Sequence, residues 1–266
     1  MSPKEPFSFK LLPAFEGLFQ GNVYKHRQST LGNIVATHLY EDLYDHGGCP
    51  KFNEHVVAGQ CVVNVGGSTR SVKARRGDGT FGTIVPGSDP LKAEGFVVLQ
   101  GMVALTHIGA EFKIIATAHL KQIDRVLNDL TGSATSLKEK SANAITVGFA
   151  AVNYSERWTG MEGTRSFPVE RKPQRALQES EETSRRLLQI ARPAFDEFLL
   201  LKFRATNQAP FPFSWLNPSG MASDYGAALV RVADLYEKRF TSVTYKRAPK
   251  ALSKAAERPP TFGEDD

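Results

Sequence analysis

Residues 103–130 constrain the fold more than any other part of the chain, because a long strand pattern there runs straight into a helix pattern. In Ile108-Gly-Ala-Glu111-Phe-Lys113-Ile-Ile115 the two charged residues are spaced two apart. Successive Cβ atoms of a strand point to opposite faces, so Glu111 and Lys113 share one face while Ala110, Phe112 and Ile114 point into an apolar layer. A carboxylate and an ammonium then sit side by side on a rigid platform. The next segment, His119-Leu-Lys-Gln122-Ile-Asp-Arg125-Val-Leu-Asn-Asp-Leu130, changes period. Leu120, Ile123, Leu127 and Leu130 fall on one side of a helix, and Lys121, Arg125 and Asn128 on another. Residues 144–152, apolar and without charge, read as a central buried strand.

The flanks extend this unit. Ser29 or Thr30 can cap a helix whose apolar stripe is Leu31, Ile34, Val35, Leu39 and Leu43, ended by Asp45-His-Gly47-Gly48. Residues 55–65 and 71–85, rich in Val, Gly and Thr, predict β structure, with Arg75-Arg76-Gly77-Asp78-Gly79 as a turn between strands. Residues 96–99 and 103–115 continue the sheet. Further on, residues 173–191 predict a long charged helix, residues 194–204 hold an apolar run, and residues 209–215 form an aromatic loop punctuated by proline. Ser223 can cap a last helix that ends near Phe240. With no linker to split the body, the expected organisation is an irregular arm (1–28), a core (29–152), an elaboration packed on it (153–240) and a basic disordered tail (241–266).

Composition narrows the function classes. Of 266 residues, 41% are hydrophobic and 23% charged, the balance of a globular chain with a sizeable core. No run approaches the roughly 20 apolar residues of a membrane helix, and the first residues lack the apolar stretch of a signal peptide. Cys49 and Cys61 are the only cysteines, too few for a disulfide framework, so a reducing, cytoplasmic setting is expected. The net charge is +5, yet residues 238–258 alone carry seven Lys and Arg against Glu257. The body is therefore close to neutral, and the tail is the part suited to gripping phosphates or to keeping the chain dissolved. His46, Cys49, His55 and Cys61 follow no common zinc spacing and read as two buried cysteines and two surface histidines. No phosphate-binding Walker loop and no Gly-x-Gly-x-x-Gly is present.

Glu111-x-Lys113 on a strand, approached by a helix and strands and followed by a Gln122-bearing helix and another strand, resembles the PD-(D/E)xK nuclease superfamily. The resemblance covers about residues 29–152. It implies an α/β, restriction-endonuclease-like core: helix, mixed sheet, helix, strand. It also implies a Mg²⁺- or Mn²⁺-dependent endonuclease that hydrolyses DNA phosphodiester bonds, with DNA as partner and a possible homodimer. Glu111 and Lys113 would be catalytic, and Glu111 would share the metal with an upstream acid chosen from Asp78, Asp89 and Glu94. Asp78 is favoured, because it sits on a glycine-flanked turn beside Arg75 and Arg76, which can bind phosphate. Its separation from Glu111, 33 residues, exceeds the usual one, whereas Glu94 at 17 is more typical. Some relatives add a glutamate from the first helix, here Glu41. Others carry glutamine followed four residues later by tyrosine; Gln122 fits, but Val126 stands at the tyrosine position. His119 could titrate near neutral pH in the same pocket. Arg75, Arg76, Lys121, Arg125 and Arg204 are the candidate DNA contacts, the last followed by Asn207, Phe211, Phe213 and Trp215. The alternative is a non-catalytic DNA-binding or assembly protein on the same fold.

Overall fold

A computed structural model of the protein describes residues 8–25, 30–64, 79–117, 119–162 and 165–240. Asp78, Arg75, Arg76 and the basic tail lie outside the described residues. Among the described residues the strands are β1 (Cys61–Asn64), β2 (Gly79–Ile84), β3 (Val103–Ile115), β4 (Ile145–Asn153), β5 (Arg157–Glu162), β6 (Arg165–Glu170), β7 (Glu197–Ala205) and β8 (Phe213–Trp215). The helices are α1 (Leu11–Gly17), α2 (Thr30–His46), α3 (Pro50–Val57), α4 (His119–Lys140), α5 (Pro173–Arg186) and α6 (Pro218–Phe240). The class is mixed α/β. One six-stranded sheet has the order β1-β2-β3-β4-β7-β8, and β5 pairs with β6 in a separate ribbon.

Helical crossovers mark the parallel pairs. β2 lies between β1 and β3 and is antiparallel to both, whereas α4 carries the chain back so that β4 lies parallel to β3. The ribbon and α5 do the same between β4 and β7, and β8 closes antiparallel on β7. β4 is buried at every residue, as its charge-free sequence requires.

Two apolar layers cover the sheet. On one face Ile108, Ala110 and Phe112 of β3 pack with Phe15 of α1, Leu39 and Leu43 of α2, and Tyr225 and Leu229 of α6. On the other, Ile115 and Val152 pack with Ile123, Leu127 and Leu130 of α4. Each large side chain so buried contributes about 1.5–3 kcal/mol. The 153–240 stretch is thus more than an appendage, since β7 extends the sheet and α6 closes the larger layer.

Several local expectations change. The arm contains α1, whose Leu11, Leu12 and Phe15 are buried. It is docked by Asp42, which accepts hydrogen bonds from the backbone N–H groups of Lys10 (2.7 Å) and Leu11 (2.8 Å) and from the Tyr225 hydroxyl (2.8 Å). Residues 55–57 are the end of α3, not the start of a strand: Pro50 opens that helix and Cys49 Sγ accepts from Phe52 N–H. Residues 96–99 form no strand, because Val97 and Val98 turn their N–H groups to Glu41, and the pairing nearby is limited to isolated bridges of Gln100 with Val63 and with Leu91. Leu120 is exposed, and His119 and Val126 are buried in its place. The last helix begins at Pro218, ahead of Ser223. Phe213 and Trp215 belong to β8, and both rings pack on Phe15 in the aromatic layer. The β5–β6 ribbon was not foreseen; its Trp158 is 1% exposed. No helix among the described residues is long and apolar enough to cross a membrane.

Candidate active site

Lys113 Nζ lies 2.7 Å from Glu111 Oε1, with the side chains 28% and 10% exposed. Strand alternation places both on the α4 face of β3 and the pairing keeps them there. Glu111 is the Cα partner of Gly148 on β4. A Cβ at Gly148 would stand 2.6 Å from Phe198 and 2.9 Å from Phe195, so those rings occupy the space a side chain would take. An apolar wall raises the cost of a lone carboxylate and so favours a cationic partner for Glu111. Gly109, one pleat earlier, brings α4 close: a Cβ there would meet Leu137 at 2.2 Å. The resulting cleft is lined by Thr80, Glu111, Ser133, Lys140, Thr146 and Phe195 among others. Most of that lining is apolar, and Thr80, Ser133, Lys140 and Thr146 are its polar members beside Glu111.

The other sequence-predicted residues are distributed unevenly around this pair. Asp78 lies outside the described residues. Glu41 is fully buried; its Oε1 accepts from Val97 N–H (2.7 Å) and Val98 N–H (2.6 Å) and its Oε2 pairs with Lys10 Nζ (2.9 Å). These partners lie outside β3. Glu94 and Asp89 are exposed in the connection between β2 and β3. Gln122 is exposed in the first turns of α4, where its Nε2 donates to Thr117 O at 3.1 Å and so fixes the β3–α4 junction. Lys121 and Arg125 lie on the outer side of α4, Arg125 beside Asp129 at 3.9 Å, and Arg204 is exposed on β7.

His119 does not serve as a neutral-pH titrating group. It is fully buried, and its Nδ1 accepts from Arg171 Nη1 at 2.9 Å. Burial first, and the Arg171 charge second, push its pKa down to about 4. Arg171 also binds Ser155 O (2.6 Å) and Glu179 (3.3 Å), tying the start of α4 to the end of β6 and to α5. Only an Arg late in the ribbon hinted at this tie, and no local pattern pairs it with His119.

A second polar group was also missed. His55, expected at the surface, is fully buried and converges with Cys61 and with His107 of β3. His46 and Cys49 stay apart from it: His46 packs edge-on to Phe9, and the Cys49 thiol donates to Glu237 Oε2 at 3.2 Å. Comparison with protein-family models, with curated proteins and with solved structures returned no match for this chain.

Proposed function

We propose that the protein is a divalent-metal-dependent endonuclease acting on DNA, with a restriction-endonuclease-like core formed by α2, β1 to β3, α4 and β4. The observation that carries this reading is the Glu111–Lys113 pair at 2.7 Å on the central strand, with Glu111 lining a mostly apolar cleft. The order helix, three antiparallel strands, helix and parallel strand supports the same reading. A carboxylate oxygen from Glu111 suits a hard cation, and the upstream acid that would share it, Asp78 first, lies outside the described residues. When bound, Mg²⁺ or Mn²⁺ would supply Lewis-acid activation of water and neutralisation of phosphate charge.

Glu111 holds its charge in place before any ligand arrives, because Lys113 offsets the cost of the apolar wall. Lys113, anchored on the same strand, places its ammonium where negative charge grows on a phosphate under attack. Gln122 keeps the strand-to-helix junction in register with the pair. Lys121, Arg125 and Arg204 supply exposed cations for the DNA backbone, and cutting both strands usually goes with two copies of the chain.

The test is cleavage of plasmid and single-stranded DNA by the full chain with Mg²⁺ or Mn²⁺, alongside Glu111→Ala and Lys113→Ala. Cutting by the wild type that both variants lose supports the reading. Binding without cutting under either metal would assign the protein to the non-catalytic DNA-binding class, and neither binding nor cutting would sink both.

A further inference from the structure

The opposite face of β3 carries a different kind of chemistry. Phe81 opposes Ile108 and Gly82 opposes Thr106, so the register leaves His107 as the extra residue of a bulge. A bulge re-aims a side chain, and His107 accordingly leaves the Glu111 face and stacks on Phe240 of α6 at 4.2 Å and 15°. There it meets His55 of α3 and Cys61 of β1, and all three are fully buried. Their potential ligand atoms lie within 4.8 Å of one another, and Cys61 Sγ is 3.7 Å from His107 Nδ1. The Tyr236 hydroxyl of α6 joins them, 2.7 Å from His55 Nδ1 and 2.9 Å from His107 Nδ1.

We propose that His55, Cys61 and His107 form a buried Zn²⁺ site of structural type, with Tyr236 Oη as the fourth donor. Thiolate with imidazole is a ligand set for zinc rather than for magnesium, and one residue from each of four elements gives the closed shell of a structural site. Bonds of about 2.3 Å to sulfur and 2.0–2.1 Å to nitrogen at a tetrahedral angle put sulfur and nitrogen about 3.6 Å apart. The Cys61–His107 distance already matches that edge. Drawing in the widest pair takes a movement on the order of 1 Å to reach the same edge. The phenol has one hydrogen, so it donates to one Nδ1 and accepts from the other, which holds the two rings in different tautomers. On binding, the Cys61 thiol proton leaves to solvent, the ring that carries its hydrogen on Nδ1 moves it to Nε2, both Nδ1 lone pairs then serve the ion while Tyr236 keeps its hydroxyl proton, and α3, β1, β3 and α6 are joined at one point.

Cobalt is the probe. Metal-free full-length protein titrated with Co²⁺ should take up one equivalent with a thiolate-to-metal charge-transfer band in the near ultraviolet and strong visible bands of a tetrahedral ion, and Zn²⁺ should abolish both. The band should persist in Cys49→Ser, whose one remaining thiol is Cys61, and in Glu111→Ala, so the outcome is separate from that of the nuclease reading. Cys61→Ser should lose the charge-transfer band; if that variant does not fold, the Cys49→Ser result alone makes the assignment. Tyr236→Phe should keep the charge-transfer band and shift the visible ones. Absence of a thiolate band in the wild type, or its loss in Cys49→Ser, overturns the proposal.

Discussion

Glu111 and His107 stand four residues apart on β3, and they belong to two sites built on opposite terms. Glu111 is charged, borders a cleft and takes its partner from two residues along the same strand. His107 is neutral and fully buried, and its partners come from α3, β1 and α6. Burial pushes its pKa down to about 3, which keeps the ring uncharged at neutral pH. The contrast teaches where each group's free energy is spent. The lysine end of the Glu111–Lys113 pair reaches solvent, which leaves it available for chemistry, while the buried carboxylate depends on that partner. A buried hydrogen-bonded cluster has no such freedom, because any member left unpaired costs about 1–3 kcal/mol.

Substitutions can break that contrast. Glu111→Ala should lower metal-dependent cleavage by about a thousandfold or more, and Lys113→Ala by about 10²–10³-fold, as expected where charge stabilisation carries the rate. Glu111→Ala, which leaves a lysine able to reach solvent, should not move the thermal midpoint by more than about 4 °C, whereas Lys113→Ala leaves a buried carboxylate against the apolar wall and should lower it further; calorimetry beside a cleavage assay reads both, and a large stability loss in Glu111→Ala would make the pair structural. Gly148→Ala drives a Cβ to 2.6 Å from Phe198, so it should cost about 1–3 kcal/mol and disturb the wall beside Glu111. Urea denaturation gives the cost. Tyr236→Phe should show the reverse pattern to Glu111→Ala: about 1–3 kcal/mol less stable, with cleavage intact.

The His119 ring sharpens the comparison by pH. Its folded pKa, about 4, lies below the ordinary 6.5, so between those values the unfolded chain binds a proton that the folded chain refuses. Its stabilising contribution is complete above pH 6.5 and declines as pH falls toward 4, by up to roughly 1.4 kcal/mol per pH unit. His119→Gln should flatten that slope in chemical denaturation measured across the window; an unchanged slope would place the proton elsewhere. The smallest effect belongs to Arg125→Ala, whose exposed pair with Asp129 at 3.9 Å should be worth less than about 0.5 kcal/mol.

Where the pattern was long, the chain could be read. β3, α4, β4 and the stripe of Val35, Leu39 and Leu43 on α2 follow directly from periods of 2 and 3.6 carried over many residues. α1 was missed because seven residues with a proline and a flanking glycine show no period, and its docking depends on Asp42 and Tyr225, distant in sequence. The His55-Val-Val run suggested a strand, while the helix signal lay upstream in Cys49 and Pro50. Leu120 looked like core by spacing, but the junction turns it outward and buries His119 instead.

The amino-acid sequence by itself determined that Glu111 and Lys113 would share one face of a central strand, because strand alternation is a local property of the backbone. It also determined the helix behind that strand and the buried strand after it, through uninterrupted periodicity. Only the tertiary structure decided that Glu41 would spend its carboxylate on Val97, Val98 and Lys10, that Arg171 would hold His119 neutral, and that a bulge would turn His107 toward His55, Cys61 and Tyr236. Those partners lie tens to more than a hundred residues apart. No spacing rule reaches across such separations, and the groups meet only when sheet register and helix packing close the distance.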